Sequence, residues 1–399
     1  MRKGPDQVRL TGHLPGLDGV RGLAILMVMA VHFVGDATAR TAAERLVVKL
    51  ASYGVLGVDL FFVLSGLLIT GLLLDAKNSP HYFRNFYARR TLRIFPLYYL
   101  VLATLFIVLP RIGALSPALE EARERQVWLW TYTANFYIAA KSSWAALTYF
   151  SHFWSLAIEE HFYLLWPLVV FGFRREALER LCVFVIVGGA ALRLALAAAG
   201  VSELSISVLT PCRVDALCVG ALLAVLSRRA DRGQSLVRES GRAALYLGGL
   251  IVAISTWCAL MKTGLPLLHQ IRSSLYSLFF GALSLLSLRS PRHLVARVFQ
   301  GRMLRFFGKY SYGLYVYHGL LTWYFLERRM GDRIGAALGH HSLAIAVTAA
   351  FGIGASLVIA VLSYEMFEKR FLQLKRFFEA GHELAAPAAA PRIAGVPEP

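Results

Sequence analysis

The sequence has few charged residues, few cysteines and no long polar stretch. Charged residues make up only 17% of the 399 residues, hydrophobic residues make up 57%, and the mean hydropathy is +0.56. The stretches between the apolar runs are too short to form a soluble domain of useful size. These shortages exclude an ordinary soluble globular protein and indicate a chain that lies in a membrane over most of its length.

The motifs that are absent exclude several kinds of site. Four cysteines without CxxC spacing lie in or beside apolar runs, and we expect them to pack in the core rather than hold a metal ion or form disulfides: Cys182, Cys212, Cys218 and Cys258. The net charge of +18 could suggest nucleic acid, but the basic residues gather at the ends of apolar runs and no nucleic-acid-binding motif is present. No internal repeat supports a transporter built from inverted repeats.

Apolar runs long enough to cross a bilayer recur along the chain. We predict an all-α polytopic protein with about ten transmembrane helices, at 20–35, 54–75, 94–112, 153–173, 181–200, 210–227, 243–261, 272–288, 306–326 and 342–363. The short, aromatic segment 127–140 is interpreted as a re-entrant or interfacial piece of an outer loop, 113–152. Basic stretches at 174–180, 228–242 and 289–305 then share a side with both termini, which the positive-inside rule assigns to the cytoplasm.

The two ends of the chain differ from the membrane part. The first apolar run follows a polar, basic beginning and lacks a small-residue cleavage site, so we interpret it as a retained helix. The predicted organisation is a cytoplasmic N-terminal segment at 1–12, a membrane domain at 13–375 and a disordered, Ala/Pro-rich cytoplasmic tail at 376–399.

Ionisable side chains within the spans are candidate functional residues, because charge is costly in a bilayer. His32 follows Arg21 by 11 residues, so both lie on one face of the first helix, ~16 Å apart along its axis. A guanidinium can bind an anion, and an imidazole can move a proton. The pair therefore suggests chemistry in the membrane rather than passive anchoring.

Two further pairs have both a functional and a structural interpretation. Arg90 and Arg93 share a helical face and could clamp phosphate groups, or they could anchor the topology at anionic lipid. The adjacent Glu159 and Glu160 could act as a general base or orient a histidine. Alternatively, they could form a structural ion pair with an arginine on another helix.

Five other intramembrane residues are expected to support the site: Asp59, Ser65, Arg213, Asp215 and His318. Each of them also has a structural explanation. Ser65 could bond back to its own helix, and Asp59 could cap that helix at the interface. Arg213 and Asp215 could pair with groups on neighbouring helices, and His318 could join two helices through a hydrogen bond.

Seven motifs in order resemble those of the integral-membrane acyltransferase-3 family. They are Arg21-x10-His32, GVDLFFVLSG, RRTLRIFPLYY, WSLAIEEHFYLLWP, RVDALCVGALLA, SYGLYVYH and YEMFEK, and they cover about residues 13–375. The family's Arg-x10-His, RxxR and paired acidic motifs fall on Arg21 and His32, Arg90 and Arg93, and Glu159 and Glu160. The chain departs from the family pattern at His161, where Gln is common, and at Arg370, where Pro is common.

The resemblance implies a membrane enzyme that moves an acyl group, often acetyl, from acyl-CoA to a hydroxyl group. We therefore expect acyl-CoA as co-substrate, no permanently bound cofactor and no metal. The expected partners are a carbohydrate or glycosylated small-molecule acceptor and membrane lipids, without nucleic acid, and the expected location is a bacterial cytoplasmic membrane. The alternative function is a non-enzymatic transporter or flippase for a polar lipid or saccharide.

Two chemical routes are open for such an enzyme. In direct transfer, His32 acts as the general base and is oriented by Glu159 or Glu160. Arg213 or Ser65 then stabilises the developing oxyanion. In the other route, His32 or Ser65 carries the acyl group covalently before passing it to the acceptor.

Overall fold

The computed structural model describes residues 14–113, 115–229, 233–261 and 266–378, and this described part is helical throughout, without strands. The predicted N-terminal segment 1–12 lies outside the described residues. So does the predicted tail from 379 onward, whereas residues 376–378 belong to a final helical turn.

The first third of the chain contains three long helices. The elements are α1 (Pro15–Ala30), which continues as a π-helix (Val31–Gly35), α2 (Ala42–Ser52), a 3₁₀ turn (Tyr53–Val55), α3 (Leu56–Ala76), α4 (Tyr82–Ala103), a second π-helix (Thr104–Val108) and α5 (Leu109–Arg111). The helix α4 begins twelve residues before the predicted span at 94–112, because the arginine-rich stretch is itself helical. Arg90 and Arg93 therefore lie ~12 and ~16 Å along α4 from its start, and not ahead of the span.

Short helices fill the predicted outer loop. They are α6 (Pro117–Glu124), α7 (Val127–Trp130), α8 (Ala134–Lys141) and a 3₁₀-helix (Trp144–Phe153) with a kink at Thr148. The longest of the three α-helices has 8 residues, which gives it a length of ~12 Å against a hydrocarbon core of ~30 Å. The segment 127–140 therefore does not cross the bilayer as one helix, in agreement with its interpretation as an interfacial or re-entrant piece.

The rest of the chain returns to long helices. These and the connecting elements are α9 (Trp154–Gly172), α10 (Arg175–Ala198), α11 (Glu203–Val208), α12 (Thr210–Ser227), α13 (Gly233–Met261), α14 (Pro266–Leu286), α15 (Leu294–Phe299), α16 (Arg302–Glu327), α17 (Met330–Leu338), α18 (His341–Ser363), a π-helix (Tyr364–Glu368), α19 (Lys369–Gln373) and a 3₁₀ turn (Leu374–Phe378).

Seven helical stretches of the described part are long and apolar enough to cross a membrane. They are Pro15–Gly35, Ala42–Ala76, Tyr82–Arg111, Arg175–Ala198, Thr210–Ser227, Gly233–Cys258 and His341–Phe378. The protein is thus an all-α, multi-pass integral membrane protein. The remaining predicted spans coincide with α9, α14 and α16, which are long helices with more polar side chains. The count of ten spans and the cytoplasmic termini remain predictions.

Glycines bring α1 and α16 into backbone contact. A Cβ atom added at Gly22 would lie 1.9 Å from the Leu304 carbonyl oxygen, and one at Gly308 would lie 1.9 Å from the Asp18 carbonyl oxygen. Small residues at such positions let membrane helices approach closely. Gly22 lies against Gly308, and ten residues further along each chain segment His32 lies against His318. The two helices therefore run parallel, with their histidines side by side.

Candidate functional site

Three histidines from different parts of the chain form one cluster at the end of α1. The His32 ring on the π-helix lies 4.9 Å from the His318 ring of α16, centroid to centroid. The His318 ring lies 5.2 Å from that of His152, which belongs to the 3₁₀-helix before α9. His32 is half-buried, while His318 and His152 are buried. The structure thus brings together two predicted residues and one, His152, that the sequence analysis missed.

Each imidazole in the cluster donates one N–H to a backbone carbonyl. Nδ1 of His32 donates to the Val28 oxygen (2.8 Å), Nδ1 of His318 to the Leu314 oxygen (3.0 Å) and Nε2 of His152 to the Val316 oxygen (3.2 Å). The second ring nitrogens of His318 and His152 are buried without a hydrogen-bond partner in the described part of the chain. In the neutral form of each ring these bonds fix the tautomer, and the other ring nitrogen then carries a lone pair.

The backbone, and not a carboxylate, orients His32. Glu159 was expected to hold this ring, but its carboxylate accepts hydrogen bonds from Ser65 (2.7 Å) and from the Tyr163 hydroxyl (3.0 Å) instead. The Ser65 oxygen lies 3.1 Å from the same Tyr163 hydroxyl, so the single tyrosine proton is shared between Glu159 and Ser65. Within the described residues, neither Glu159 nor Glu160 makes a hydrogen bond to His32. Ser65 therefore bonds across to α9 rather than back to its own helix.

Glu160 and Arg90 lie beside this hydrogen-bonded group. One carboxylate oxygen of Glu160, Oε1, is buried without a hydrogen-bond partner in the described part. The Arg90 guanidinium lies over the Tyr163 ring, 5.7 Å from its centroid, a position suited to a cation–π contact. The site therefore contains an unused buried acceptor next to a positive charge.

Tyr315 links the histidine cluster to α9. Its hydroxyl donates to the His152 carbonyl oxygen (2.6 Å), so the Ser155 hydroxyl acts as the donor in the 2.5 Å contact between the two side chains. Ser155 lies one helical turn before Glu159. A series of polar groups therefore extends from the imidazoles along α9 toward the glutamates.

A basic cavity lies at the opposite end of α1 from the histidines. Its volume is about 520 Å³, and five cationic side chains line it: Arg21, Arg93, Arg302, Arg305 and Lys309. Asp18 and Glu368 are the acidic residues of its wall, and Asp18 forms an ion pair with Arg21 at 3.2 Å. The cavity has an excess of positive charge, so it suits a ligand with several negative charges.

The basic cavity contains three cations that were not predicted for the anion site, and it lacks Arg90, which was predicted for it. Arg302, Arg305 and Lys309 at the start of α16 were regarded only as part of an inner basic loop or span end. Tertiary packing of α16 on α1 turns them toward Arg21. Arg90 is not among the residues that line the cavity, although it lies one turn before Arg93 on α4.

Two buried ion pairs connect the central helices. Arg213 on α12 bonds to Asp59 on α3 at 2.6 Å, and Arg193 on α10 bonds to Asp215 on α12 at 2.8 Å. Arg213 also donates to Ser273 on α14. These contacts match the structural explanation considered for Arg213 and Asp215, and they give Arg193 the partner that the sequence did not reveal.

His161 lies apart from the histidine cluster. Its Nδ1 forms a 2.9 Å hydrogen bond with Thr210, and its ring stacks on Phe136. In the described part of the chain, no group of three or more His, Cys, Asp or Glu side chains could hold a metal ion.

Comparison with known proteins agrees with this architecture. The model of an acyltransferase domain family, acyltransferase 3, matches residues 14–365. The peptidoglycan O-acetyltransferase OatA of Listeria monocytogenes is 28% identical over 77% of this chain and 49% of its own length. The putative peptidoglycan O-acetyltransferase YrhL of Bacillus subtilis is 26% identical over 90% of this chain and 54% of its own.

A third relative shows the same partial coverage. The O-acetyltransferase OatA of Staphylococcus aureus is 27% identical over 77% of this chain and 50% of its own length. The chain thus spans about half the length of the curated relatives it matches. No solved structure matches this chain.

Proposed function

Because the chain belongs to the acyltransferase-3 family, we propose that it transfers an acyl group, and acetyl in particular, from acyl-CoA to a hydroxyl of a carbohydrate or glycosylated acceptor. One observation carries the proposal: a cavity lined by five cations and a histidine with a free ring nitrogen lie at opposite ends of the same helix. The names of the relatives, O-acetyltransferases of peptidoglycan among them, support acetyl as the group and a saccharide as the acceptor.

The basic cavity is the proposed site for the phosphates of acyl-CoA. Guanidinium groups bind phosphate oxygens bidentately, and the excess of cations over Asp18 and Glu368 favours a polyanion. In the topology with both termini in the cytoplasm, this cavity opens to the compartment that contains acyl-CoA, in the cytoplasmic membrane of a bacterium. Arg21 and Arg93 bind phosphate in this proposal together with the three cations of α16.

The pantetheine arm is proposed to run from this cavity toward the histidines. The rise from Arg21 to His32 is ~16 Å along α1, which an extended pantetheine arm can span. Glu159, Ser65, Tyr163 and Arg90 hold one another in place along this path. The unpartnered Oε1 of Glu160 is available to accept an amide N–H of the arm.

His32 is the proposed general base. Its Nδ1–H donates to the Val28 oxygen, which leaves the Nε2 lone pair to take the proton of the acceptor hydroxyl. The acceptor oxygen then attacks the thioester carbonyl carbon and forms the ester bond. The carbon–sulfur bond breaks, and the CoA thiolate takes the proton from the imidazolium. In the covalent alternative, His32 or Ser65 forms the acyl-enzyme first.

Acceptor-independent turnover of acetyl-CoA tests the proposal. We would measure release of the free CoA thiol by the full-length protein in nanodiscs, for wild type, His32→Ala and the control His161→Ala. We expect loss of thiol release in His32→Ala and wild-type rates in His161→Ala, because His161 bonds to Thr210 outside the cluster. Equal turnover in all three proteins would reject His32 as the base, and no turnover or binding of acetyl-CoA by wild type would favour a transporter.

A further inference from the structure

A second large cavity opens beside the histidine cluster, at the end of the bundle opposite the basic cavity. Its volume is about 920 Å³, within the ~300–1,000 Å³ typical of small-molecule sites. It lies between the π-helix after α1, the end of α16, α17 and the start of α18. We call it the outer cleft. The helix α16 lines the basic cavity at one end and the outer cleft at the other. The helix α1 lines the basic cavity while its π-helical continuation lines the outer cleft, and α18 lines the outer cleft while its π-helical continuation lines the basic cavity.

The histidine pair lies between the two cavities along both helices that carry it. On α1, His32 is followed at once by Phe33, which lines the outer cleft, while Arg21 lines the basic cavity. On α16, His318 falls between Tyr312 of the basic cavity and Phe325 of the outer cleft. The free nitrogen of His32 is thus positioned to serve ligands that enter from both ends.

Asp36 connects the outer cleft to His32 electrostatically. It lines the cleft one helical turn after His32. Its partial burial raises the pKa of the Asp36 carboxyl, and the nearby His32 acts in the opposite direction. A ligand bound against Asp36 would therefore lie within the electrostatic range of the proposed base.

The charges that line the outer cleft balance, in contrast to those of the basic cavity. The guanidinium groups of Arg40 and Arg329 and the carboxylates of Asp36 and Asp332 line it, and none of these four has an ion pair in the described part of the chain. Guanidinium groups only donate hydrogen bonds and carboxylates only accept them, whereas a sugar hydroxyl does both. Balanced donors and acceptors without net charge favour a neutral, polyhydroxylated ligand over a polyanion.

Two further features of the outer cleft point to such a ligand. The hydroxyl of Thr348 on its wall is buried and has no hydrogen-bond partner in the described part, and a buried polar group without a partner is costly. Phe33 and Phe325 supply apolar ring surface at the base of the cleft, 6.1 Å apart. Ring faces beside hydrogen-bonding groups suit the apolar and polar faces of a sugar ring.

We propose that the outer cleft binds the saccharide acceptor, with Arg40, Asp332 and Thr348 contacting its hydroxyls and presenting one of them to His32. This assignment rests on the acyl transfer proposed above. It places donor and acceptor in two separate cavities of opposite chemistry that meet at the imidazoles.

Adjacent alanines on α17 provide a matched pair of variants. Ala336 lines the outer cleft and Ala337 does not, although both are exposed on the same short helix. Ala336→Trp would fill part of the cleft, and Ala337→Trp adds the same bulk elsewhere. Membrane vesicles from bacteria that express each full-length variant would be given acetyl-CoA labelled in its acetyl group. Two quantities are counted: free labelled acetate, and alkali-labile label in the vesicles' own saccharides.

We expect Ala336→Trp to lower saccharide labelling at least tenfold while acetyl-CoA hydrolysis stays at the wild-type rate, and Ala337→Trp to change neither. Should both tryptophan variants label saccharide as wild type does, the outer cleft is not the acceptor site. If Ala336→Trp loses hydrolysis as well, its bulk has disturbed more than the cleft. The milder variants Asp332→Asn and Thr348→Val then test whether the cleft binds the acceptor. For these two variants the ratio of labelled saccharide to free acetate is compared with that of wild type. A three- to tenfold fall in the ratio supports the cleft, and an unchanged ratio rejects it. A wild type that neither hydrolyses acetyl-CoA nor transfers acetyl rejects the proposed function itself.

Discussion

The histidine cluster combines three imidazoles that cannot all be charged. Neighbouring rings of the cluster have centroids about 5 Å apart: 4.9 Å for His32 and His318, and 5.2 Å for His318 and His152. Like charges at such separations repel strongly in a low-dielectric interior. His318 and His152 are buried, whereas His32 is half-buried. The proton taken from an acceptor would therefore reside on His32, and the two neutral rings would fix its surroundings.

Gly319 makes room for His152, and this contact gives a test of the cluster. A Cβ atom at Gly319 would lie 2.2 Å from Nδ1 of His152, so Gly319→Ala must displace that ring. We expect acetyl-CoA turnover to fall about tenfold or more, equivalent to ~1.4 kcal/mol of the barrier. The control is Gly354→Ala on α18, where a Cβ meets no atom within 4 Å. If both variants keep wild-type turnover, the position of His152 has no bearing on catalysis.

The pair Arg213 and Asp59 can be examined for a structural role with a double-variant cycle. Their side chains are only 10% and 8% exposed, and removing one partner of a buried ion pair costs about 3–5 kcal/mol. We expect Asp59→Leu and Arg213→Met each to lower the unfolding temperature in detergent strongly, and the double variant to recover most of the loss. Recovery of stability without recovery of turnover would instead assign Arg213 a part in the chemistry, such as binding the oxyanion.

At the scale of helices, close contact between α3 and α12 depends on absent side chains. A Cβ atom at Gly220 would lie 2.0 Å from the Val63 carbonyl oxygen, so even alanine must push the helices apart. Overpacking of this kind typically costs about 1–3 kcal/mol. We expect Gly220→Ala to lower the unfolding temperature in detergent. Gly188→Ala on α10, where no atom lies within 4 Å, should leave it unchanged, and equal temperatures for both would show that the interface adapts.

The helices could be predicted from the sequence because long apolar runs are a local signal. Each predicted span coincides with a long helix, and the short aromatic segment 127–140 forms no single span. The ends of the helices were predicted less accurately than their positions. At α4, for example, the apolar run marks only the part in the membrane core and not the helical, arginine-rich stretch before it. The helices α9 and α16 match the predicted spans 153–173 and 306–326, although they are not among the seven stretches that are apolar enough to cross a membrane.

The site could be predicted only in part, since most of its contacts join residues far apart in the chain. His32 and His318 stood out as ionisable residues within apolar runs. His152 lies at the end of a loop, where a histidine is unremarkable, and only the packing of the 3₁₀-helix against α16 brings it to His318. The partners of Arg193 and Glu159 likewise depend on which helices touch, which no local pattern reveals.

At the scale of the whole molecule, two cavities at opposite ends of α1, α16 and α18 differ in charge. Five cations and two acidic residues line the basic cavity, whereas two arginines and two aspartates balance in the outer cleft. This division matches a reaction between a polyanionic donor and a polyhydroxylated acceptor. A transporter that passed one ligand from end to end would be expected to offer it similar chemistry at both.

The phosphate-binding role of the basic cavity can be separated from lipid anchoring by changing the donor. Arg305 lines the cavity, whereas Arg297, which donates to the Pro291 carbonyl, does not. We expect Arg305→Ala to raise the KM for acetyl-CoA about tenfold, or ~1.4 kcal/mol, because one charge-assisted contact to phosphate is lost. Arg297→Ala should leave that KM unchanged.

A second donor, the thioester S-acetylpantetheine, has no phosphates and shows whether Arg305 acts by binding phosphate. If Arg305 binds phosphate, its replacement cannot weaken a donor that has none, so wild type and Arg305→Ala should share one KM for S-acetylpantetheine in the same nanodiscs. A loss of equal size with both donors would mean that Arg305 acts through the fold or the lipid contact. In that case the excess positive charge of the cavity would serve to orient the protein in the membrane and not to bind its substrate.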